Sequence, residues 1–227
     1  MIRRMAGVLQ REGMRGIARR LVERTVRPLI WVERIGFYDS DLPDLPAQAM
    51  RGFPAEVRPA RPDELLQRFS RPLEDDFGVT PDDAAQRIAR EHVAVIAVHE
   101  GQLIGMLWLA FNGQRVSEVG REMKLRPGEF LTYNESTLPA WRGRGVSPCM
   151  NRCAEGFARR HSAARRITWR RLGNTAAVRV AAKLHDRLFA VVTTVRLLAH
   201  DHAIVLGLRN AALPALVSSD KEPRGSV

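Results

Sequence analysis

The sequence has 227 residues, 45% of them apolar, and carries a formal net charge of +11 at pH 7. This length suits one enzyme-sized domain, or one domain with an extension. Because neither an apolar stretch long enough to span a bilayer nor a secretory signal pattern occurs, we expect a cytoplasmic protein.

The positive charge is concentrated in two regions. Residues 1–34 contain nine arginines and three glutamates, which gives +6, and residues 142–171 contain nine arginines and one glutamate, which gives +8. The rest of the chain is therefore net −3. Two separate basic regions favour either two different anionic partners or one partner and one solubilising surface. Aromatic residues that could stack on bases are sparse in both regions. We expect no specific nucleic-acid partner.

Residues 1–53 are predicted to form a basic N-terminal extension and a linker. Apolar residues recur at helical spacing among the arginines of residues 1–30, which predicts one or two amphipathic helices. An apolar and aromatic run follows at 27–37, and the proline-rich stretch at 40–54 indicates a linker. Several roles stay open for residues 1–34: peripheral contact with the inner membrane face or another anionic surface, docking on the domain, and formation of a homodimer.

The globular domain is predicted to start with a strand at 56–59 and two helices. The second helix begins at Thr80, where an N-cap threonine precedes a first-turn proline and two aspartates. Apolar runs at 93–98 and 103–111, with Gly101 in the turn between them, predict an antiparallel hairpin.

Two acidic clusters lie near these helices, at 74–76 and 82–83. They could attract a cationic amine. The alternative is a solvated loop and a helix start whose carboxylates complement the helix dipole.

A strand predicted at 130–138 leads into a glycine-rich turn and then a helix, which the pair Ser147-Pro148 can begin. Apolar residues at helical spacing give this helix its buried stripe. The stripe comprises Val146, Met150, Cys153 and Phe157. Cys149 and Cys153 are four residues apart on the helix, which is unsuited to a disulfide, and they lack further ligands at zinc-like spacing, so we expect thiols and no metal site.

The remaining elements are predicted as a strand at 166–172, a helix at 175–184 and strands at 189–199 and 203–208. Residues 211–227 are polar and are expected to form a flexible tail.

The turn at 142–147 is a candidate anion site. A strand that ends in a glycine-rich turn and feeds a capped helix offers free backbone N–H groups and the positive end of the helix dipole. Gly143 and Gly145 allow close approach of a ligand to the backbone. The alternative is a structural turn without a ligand, because Gly-x-Gly turns are common. The turn follows antiparallel strands and lacks a Lys-Ser/Thr ending, which argues against a Rossmann or Walker motif.

The stretch 137–147, Thr-Leu-Pro-Ala-Trp-Arg-Gly-Arg-Gly-Val-Ser, resembles the pattern Val-x-Pro-x-Tyr-(Gln/Arg)-x-x-Gly-x-(Gly/Ala) of the GNAT (GCN5-related N-acetyltransferase) superfamily. The superfamily's later signature is matched in part by Asn174, Ala177 and Val180. The resemblance implies an α/β (α+β) fold with a mixed, mostly antiparallel sheet of six to seven strands. Helices would flank the sheet, its fourth and fifth strands would splay apart, and the domain would occupy 54–210.

The resemblance also implies acyl-CoA, in the simplest case acetyl-CoA, as co-substrate and a small-molecule or protein amine as acceptor. Backbone amides of 143–148 would hold the pyrophosphate, and 135–137 would pair with the pantetheine arm. The implied cofactor-binding residues are Ser136, Thr137, Arg142, Gly143, Arg144, Gly145, Val146, Ser147 and Asn174. The implied candidates for the nucleotide phosphates are Arg144, Arg152, Arg159, Arg160, Arg165 and Arg166.

The sequence departs from the GNAT pattern at residues that matter for catalysis. Ser147 stands in place of the last glycine of the turn, and Ala181 stands where a tyrosine often protonates the leaving thiolate. His185-Asp186 replaces the usual Gly-Phe. Two functions therefore stay open: an N-acyltransferase, and a degenerate acyl-CoA-binding module that acts as a sensor or scaffold.

Tyr133 and Glu135 are the predicted catalytic residues. Because side chains on a strand repeat their direction every two residues, both are expected on one face beside the acyl carbonyl, where a base can deprotonate the acceptor amine. The alternative is a packing tyrosine and a glutamate paired with an arginine. His185 is a weaker candidate acid, and His200 with His202 lacks a third metal ligand.

Overall fold

The computed structural model describes residues 30–42, 53–69, 77–197, 204–206 and 216–217. The amphipathic helices expected before residue 30, the acidic cluster at 74–76 and the pair His200 and His202 lie outside the described residues. So does most of the tail expected at 211–227. In the described part, no helix is long and apolar enough to cross a membrane.

The described elements follow one another as strands and helices from Ile30 onward. The helices are α1 (Pro62–Phe69), α2 (Pro81–Ala89), α3 (Val146–Arg160) and α4 (Thr175–Lys183), with a 3-10 turn at Pro139–Trp141. The strands are β1 (Ile30–Asp41), β2 (Glu56–Pro59), β3 (Val93–His99), β4 (Gln102–Ala110), β5 (Gln114–Val116), β6 (Arg121–Met123), β7 (Glu129–Thr137), β8 (Arg165–Arg171), β9 (Arg187–Leu197), β10 (Ile204–Leu206) and β11 (Leu216–Val217).

The main sheet contains eight strands in the order β10-β9-β1-β8-β7-β4-β3-β2. All neighbours in it are antiparallel except β7 and β8, which run parallel. A small second sheet has the order β11-β6-β5. The predicted mixed, mostly antiparallel sheet flanked by helices is confirmed, with one more strand than the sequence indicated.

Strand β1 accounts for the additional strand and corrects the predicted domain boundary. It lies between β8 and β9 and pairs with both along most of its length. Ile35 and Phe37 are fully buried. The sequence had assigned this apolar run to the extension that ends at residue 53. Because its hydrogen-bond partners begin 124 residues or more along the chain, no local pattern could reveal the pairing; residues 30–41 belong to the sheet.

Helices cover both faces of the sheet. Helix α2 begins as predicted: Thr80 and Asp83 form a capping box, in which each side chain accepts a hydrogen bond from the other residue's backbone N–H. Asp83 thus has the capping role that the sequence offered as the alternative to amine attraction. Helix α3 packs against β4 at Gly105, where an added Cβ would come within 2.8 Å of Val146. The predicted stripe of α3 packs on the core.

Candidate active site

Strands β7 and β8 separate partway along their length. Their parallel pairing covers Glu129 to Thr132 on β7 and Arg165 to Thr168 on β8, and it stops there. Beyond this point β7 continues to Thr137 alongside β4 alone. The sheet therefore opens between its central strands, as the sequence predicted, and the opening leads toward the turn that precedes α3.

The turn at 142–145 presents backbone donors at the N-terminus of α3. Gly143 has φ +76° and Gly145, the N-cap, has φ +88°, a conformation that favours glycine. Among the described residues, backbone carbonyls accept hydrogen bonds from the N–H groups of Trp141, Arg142, Arg144 and Cys149. The N–H groups without a backbone acceptor there are those of Gly143, Gly145, Val146 and Ser147. These N–H groups and the positive end of a 15-residue helix are suited to an anion.

Ser147 adds a hydroxyl to this turn. Its Oγ is buried and has no hydrogen-bond partner in the described part of the chain. A buried, unsatisfied hydroxyl is costly and calls for an explanation. A phosphate oxygen bound at the turn would supply the acceptor, so the serine that replaces the last glycine of the motif fits the pyrophosphate of a nucleotide cofactor.

The other predicted cofactor residues lie around the turn or on the next helix. Arg142 is exposed and its Nε donates to the carbonyl of Thr137 over 3.1 Å. The guanidinium of Arg144 lies 5.3 Å from the ring centre of Trp141. Asn174 is the N-cap of α4, and its Oδ1 accepts a hydrogen bond from Ala177 N. The structure thus groups Arg142 and Arg144 with the turn and gives Asn174 a capping role.

A β-bulge in β7 overturns the expectation that Tyr133 and Glu135 share a face. Met106 of β4 pairs with Ser136, but Trp108 pairs with Tyr133, so β7 has an extra residue here. Asn134, with φ +49°, lies at this irregularity. An extra residue shifts the alternation of side chains by one. Tyr133 therefore faces α2, and Glu135 faces α3.

Glu135 belongs to a network of paired polar groups under α3. Its Oε1 accepts a hydrogen bond from Asn151 Nδ2 at 3.1 Å. Arg166, which is 1% exposed, donates to Asn151 Oδ1 and to Glu155 Oε1, and its other nitrogen pairs with Asp186. Burial raises the pKa of Glu155, and Arg166 partly offsets that effect. Glu135 thus has a partner, but the partner is an asparagine and not the arginine of the predicted alternative.

Two of the arginines expected at the nucleotide phosphates instead form ion pairs within the protein. Arg166 is bound by carboxylates in the interior, and Arg165 pairs with Asp39 and Glu129. Their guanidinium groups are occupied, because each lies on β8 opposite carboxylates from neighbouring elements. The expectation is therefore wrong for Arg165 and Arg166.

On the α2 face, Tyr133 forms a buried pair with His92. The Tyr133 hydroxyl and His92 Nδ1 are 2.7 Å apart and share a hydrogen bond. Both side chains are almost fully buried. Burial raises the pKa of Tyr133, and burial, aided by Arg90 and Arg87, lowers the pKa of His92. His92 is therefore neutral near pH 7, and its Nδ1 can accept the hydrogen bond of the hydroxyl.

Arg87 of α2 covers the aromatic residues around this pair. Its guanidinium carbon lies 5.0 Å from the ring centre of Trp108 and 5.2 Å from that of Tyr133. Trp169 of β8 stacks on the other side, with its ring centre 5.9 Å from that of Tyr133 and an interplanar angle of 13°. The sequence did not indicate His92, Arg87, Trp108 or Trp169, because they come from four separate elements.

The weaker candidates contribute little to this arrangement. Ala181 is 1% exposed, so no side chain replaces the missing tyrosine at that position. His185 lies two residues beyond α4, is exposed and has a left-handed backbone conformation (φ +56°). Cys149 and Cys153 form no disulfide, and burial raises the pKa of both thiols. In the ranges that the structure describes, no cluster of His, Cys, Asp and Glu could hold a metal ion.

Two open clefts lie away from the strand opening. They have volumes of about 430 and 340 Å³ and share Phe111 and His161 near the start of β7 and the end of α3. The opening and the turn are closer to the other end of β7, and Tyr133 lies at its middle. His92 lies between Glu91 and Val93, which line the larger cleft.

No family model and no curated protein matches the sequence. Solved structures do resemble it. A GCN5-related N-acetyltransferase from Sphaerobacter thermophilus superposes with a TM-score of 0.55 at 17% identity, covering 82% of this chain and 57% of that one. A GNAT-family acetyltransferase from Novosphingobium aromaticivorans gives 0.51 at 15% identity, covering 74% and 65%.

A third resemblance is to the glucosamine N-acetyltransferase region of a fungal multi-domain β-N-acetylglucosaminidase, with a TM-score of 0.52 at 12% identity, covering 77% of this chain and 22% of that one. This chain thus spans less than two thirds of the length of the solved proteins it resembles. At these identities the likeness concerns the fold, and the chain has the fold of the GNAT N-acetyltransferases.

Proposed function

We propose that this protein is an acyl-CoA-dependent N-acyltransferase of the GNAT superfamily. It would move an acyl group, in the simplest case acetyl, from CoA to a primary amine. The observation that carries the proposal is the opening between β7 and β8, which leads to a helix N-terminus whose N–H groups and Ser147 hydroxyl lack acceptors among the described residues.

Acyl-CoA would contribute an activated thioester carbonyl to this site. The N–H groups of Gly143, Gly145, Val146 and Ser147 would hold its pyrophosphate. The pantetheine arm would follow 135–137 of β7, and Arg142, Arg144 and Asn174 would contact the rest of the nucleotide. In this assignment the sequence motif and the strand opening serve the same ligand.

The pair Tyr133 and His92 is the proposed proton-transfer device. The acceptor nitrogen attacks the thioester carbonyl carbon, the C–N bond forms, and the C–S bond breaks. The proton lost by the amine passes to the Tyr133 hydroxyl as that hydroxyl gives its own proton to neutral His92. The CoA thiolate then takes a proton from solvent or from the same pair. This route gives Tyr133 a catalytic role and leaves Glu135 as a positioning residue for Asn151.

A degenerate acyl-CoA-binding module is the second candidate function. It is motivated by the buried Ala181 and by Asp186, which is tied to Arg166 and Arg170 beyond the end of α4. A protein with this function would bind CoA through the turn without releasing free thiol in the presence of an amine.

Calorimetric titration with CoA, combined with a free-thiol assay on acetyl-CoA and a panel of amines, tests both functions. We expect CoA binding and amine-dependent thiol release. Binding without release for any amine would favour the degenerate module, and absence of binding would contradict both.

Gly145→Ala provides a focused test of the turn, with Gly101→Ala as its matched control. Both glycines have positive φ, and an added Cβ would clash with no other residue at either position, so both variants carry similar backbone strain. We expect Gly145→Ala to weaken CoA binding about 10-fold or more, because the added Cβ hinders approach to the N–H groups. Gly101→Ala in the β3–β4 hairpin should bind CoA like the wild type.

A further inference from the structure

Arg87 is a partly buried cation without a counter-ion in the described structure. Its Nη1 atom is buried and has no hydrogen-bond partner, and no described carboxylate lies within ion-pair distance of the guanidinium. Asp83, the carboxylate with the strongest electrostatic effect on it, caps α2 through Thr80. Burial of an unpaired charge is costly, so this arrangement is unfavourable unless a ligand completes it.

A second unsatisfied donor lies on the same face. Trp108 is fully buried, and its Nε1 also lacks an acceptor in the residues described. Arg87 stacks on the ring of Trp108 and on that of its cross-strand partner Tyr133. Two side chains whose donors lack acceptors among the described residues therefore pack beside Tyr133, to which we assign proton transfer.

In the described part of the chain, the charged groups that act on Tyr133 and His92 are positive. The charged groups that shift the pKa of either side chain are Arg87 and Arg90, and no carboxylate is among them. Glu118, which accepts a hydrogen bond from Trp169, lies next to Arg171. Aromatic rings can attract an ammonium group, but here the guanidinium of Arg87 already occupies the ring faces.

We propose that the acceptor is an amine that carries a carboxylate, and that Arg87 binds this carboxylate with Trp108 Nε1 as an additional donor. The inference rests on the proposed function and specifies its acceptor. A planar guanidinium can hold a carboxylate through two parallel hydrogen bonds, which would also orient the amine toward Tyr133. Arg87 is then the residue that selects the acceptor.

Matched pairs of amines test this selection with the full chain and acetyl-CoA. Each pair consists of a common amino acid and the amine left when its carboxylate is absent, such as phenylalanine and phenethylamine, and short peptides form a third arm. We expect the carboxylate-bearing partner to give a kcat/KM higher by about 10- to 100-fold, as for a charge-assisted hydrogen bond. Arg87→Gln should abolish the preference, whereas Arg90→Gln, at an exposed position three residues further along, should keep it. Equal use of both partners by the wild type would overturn the inference and leave the acyltransferase function intact.

Binding without chemistry separates the two proposals. N-acetyl amino acids and their uncharged amides serve as probes, and the fluorescence of Trp108 and Trp169, both beside the proposed site, reports binding. The acids should bind, the amides should bind at least 10-fold more weakly, and Arg87→Gln should lose the difference, with Arg87→Lys retaining part of it. Carboxylate binding without any thiol release would refute the enzyme while supporting this site, and equal binding of acids and amides would refute the site.

Discussion

The two faces of the central strands differ in how their buried arginines are paired. Under α3, Arg166 is met by Glu155, Asp186 and Asn151, so its charge is neutralised inside the protein. On the α2 face, Arg87 has aromatic rings beside it and, among the residues that the structure describes, no carboxylate. The α3 network holds α3, β8 and the end of α4 together and needs no ligand. The α2 face is left incomplete, which is expected of a binding site.

The largest effect should come from breaking the α3 network. Arg166→Met leaves Glu155 without its cation and Asp186 with Arg170 alone, and loss of one partner of a buried ion pair costs about 3–5 kcal/mol. We expect the free energy of unfolding in urea to fall by that amount. Arg171→Met, which removes an exposed arginine of the same strand, is the control and should cost less than about 1 kcal/mol. A small effect of Arg166→Met would mean that the network does not hold these elements together.

The next effect concerns catalysis on the α2 face. Tyr133→Phe keeps the ring but removes the hydroxyl that faces His92, and loss of a general acid–base group typically lowers kcat by about 100-fold or more. His92→Gln should act similarly, and the double variant should be little worse than either single one, because the residues act as a unit. Steady-state kinetics with acetyl-CoA provide the measurement. Glu135→Gln, on the other face, should lower kcat far less; a larger loss there would return the catalytic role to Glu135.

The sequence did not predict that the α3 and α2 faces differ in how their buried arginines are paired. The capped start of α2, the β3–β4 hairpin and the buried stripe of α3 depend on neighbours within a few residues, so local patterns predicted them. Strand β1 depends on partners far along the chain, and no local pattern reports such pairing.

In the site, too, the features that depend on adjacent residues were predicted, and the features that depend on residues far apart in the sequence were not. The turn at 142–147 was predicted because a strand, its glycines and a helix start are contiguous. The face of Tyr133 was missed because the bulge at Asn134 interrupts a strand whose sequence shows no such break. His92, Arg87 and Trp169 meet Tyr133 only through the packing of separate elements.

A smaller effect is expected from pH, through His92. Its pKa is lowered in the folded protein, mainly by burial. Above about pH 6.5, the ordinary pKa of histidine, the group is neutral in both states. Below that pH the unfolded chain takes up a proton that the folded protein resists, so stability falls by at most about 1.4 kcal/mol per pH unit until the lower folded pKa is passed.

Urea unfolding of the wild type and His92→Gln between pH 7 and 5 measures this contribution. The difference between the two proteins isolates His92, because the raised pKa of Glu155 acts in the opposite direction and is common to both. The stability lead of the wild type should shrink as the pH falls. A constant difference would show that His92 is protonated as easily in the folded state as in the unfolded chain.

The smallest effect on stability should come from Arg87, which has no ion-pair partner among the described residues, and this is the sharpest comparison with Arg166. Arg87→Met removes a desolvated charge but keeps an unbranched side chain over Trp108 and Tyr133. We expect the free energy of unfolding without ligand to change by less than about 1 kcal/mol, or to rise, because the cost of desolvating the cation disappears while part of its packing is lost. The same substitution should abolish the preference for carboxylate-bearing acceptors. A loss of stability as large as that of Arg166→Met would show that Arg87 has a partner within the chain, and the α2 face would then be as complete as the α3 face.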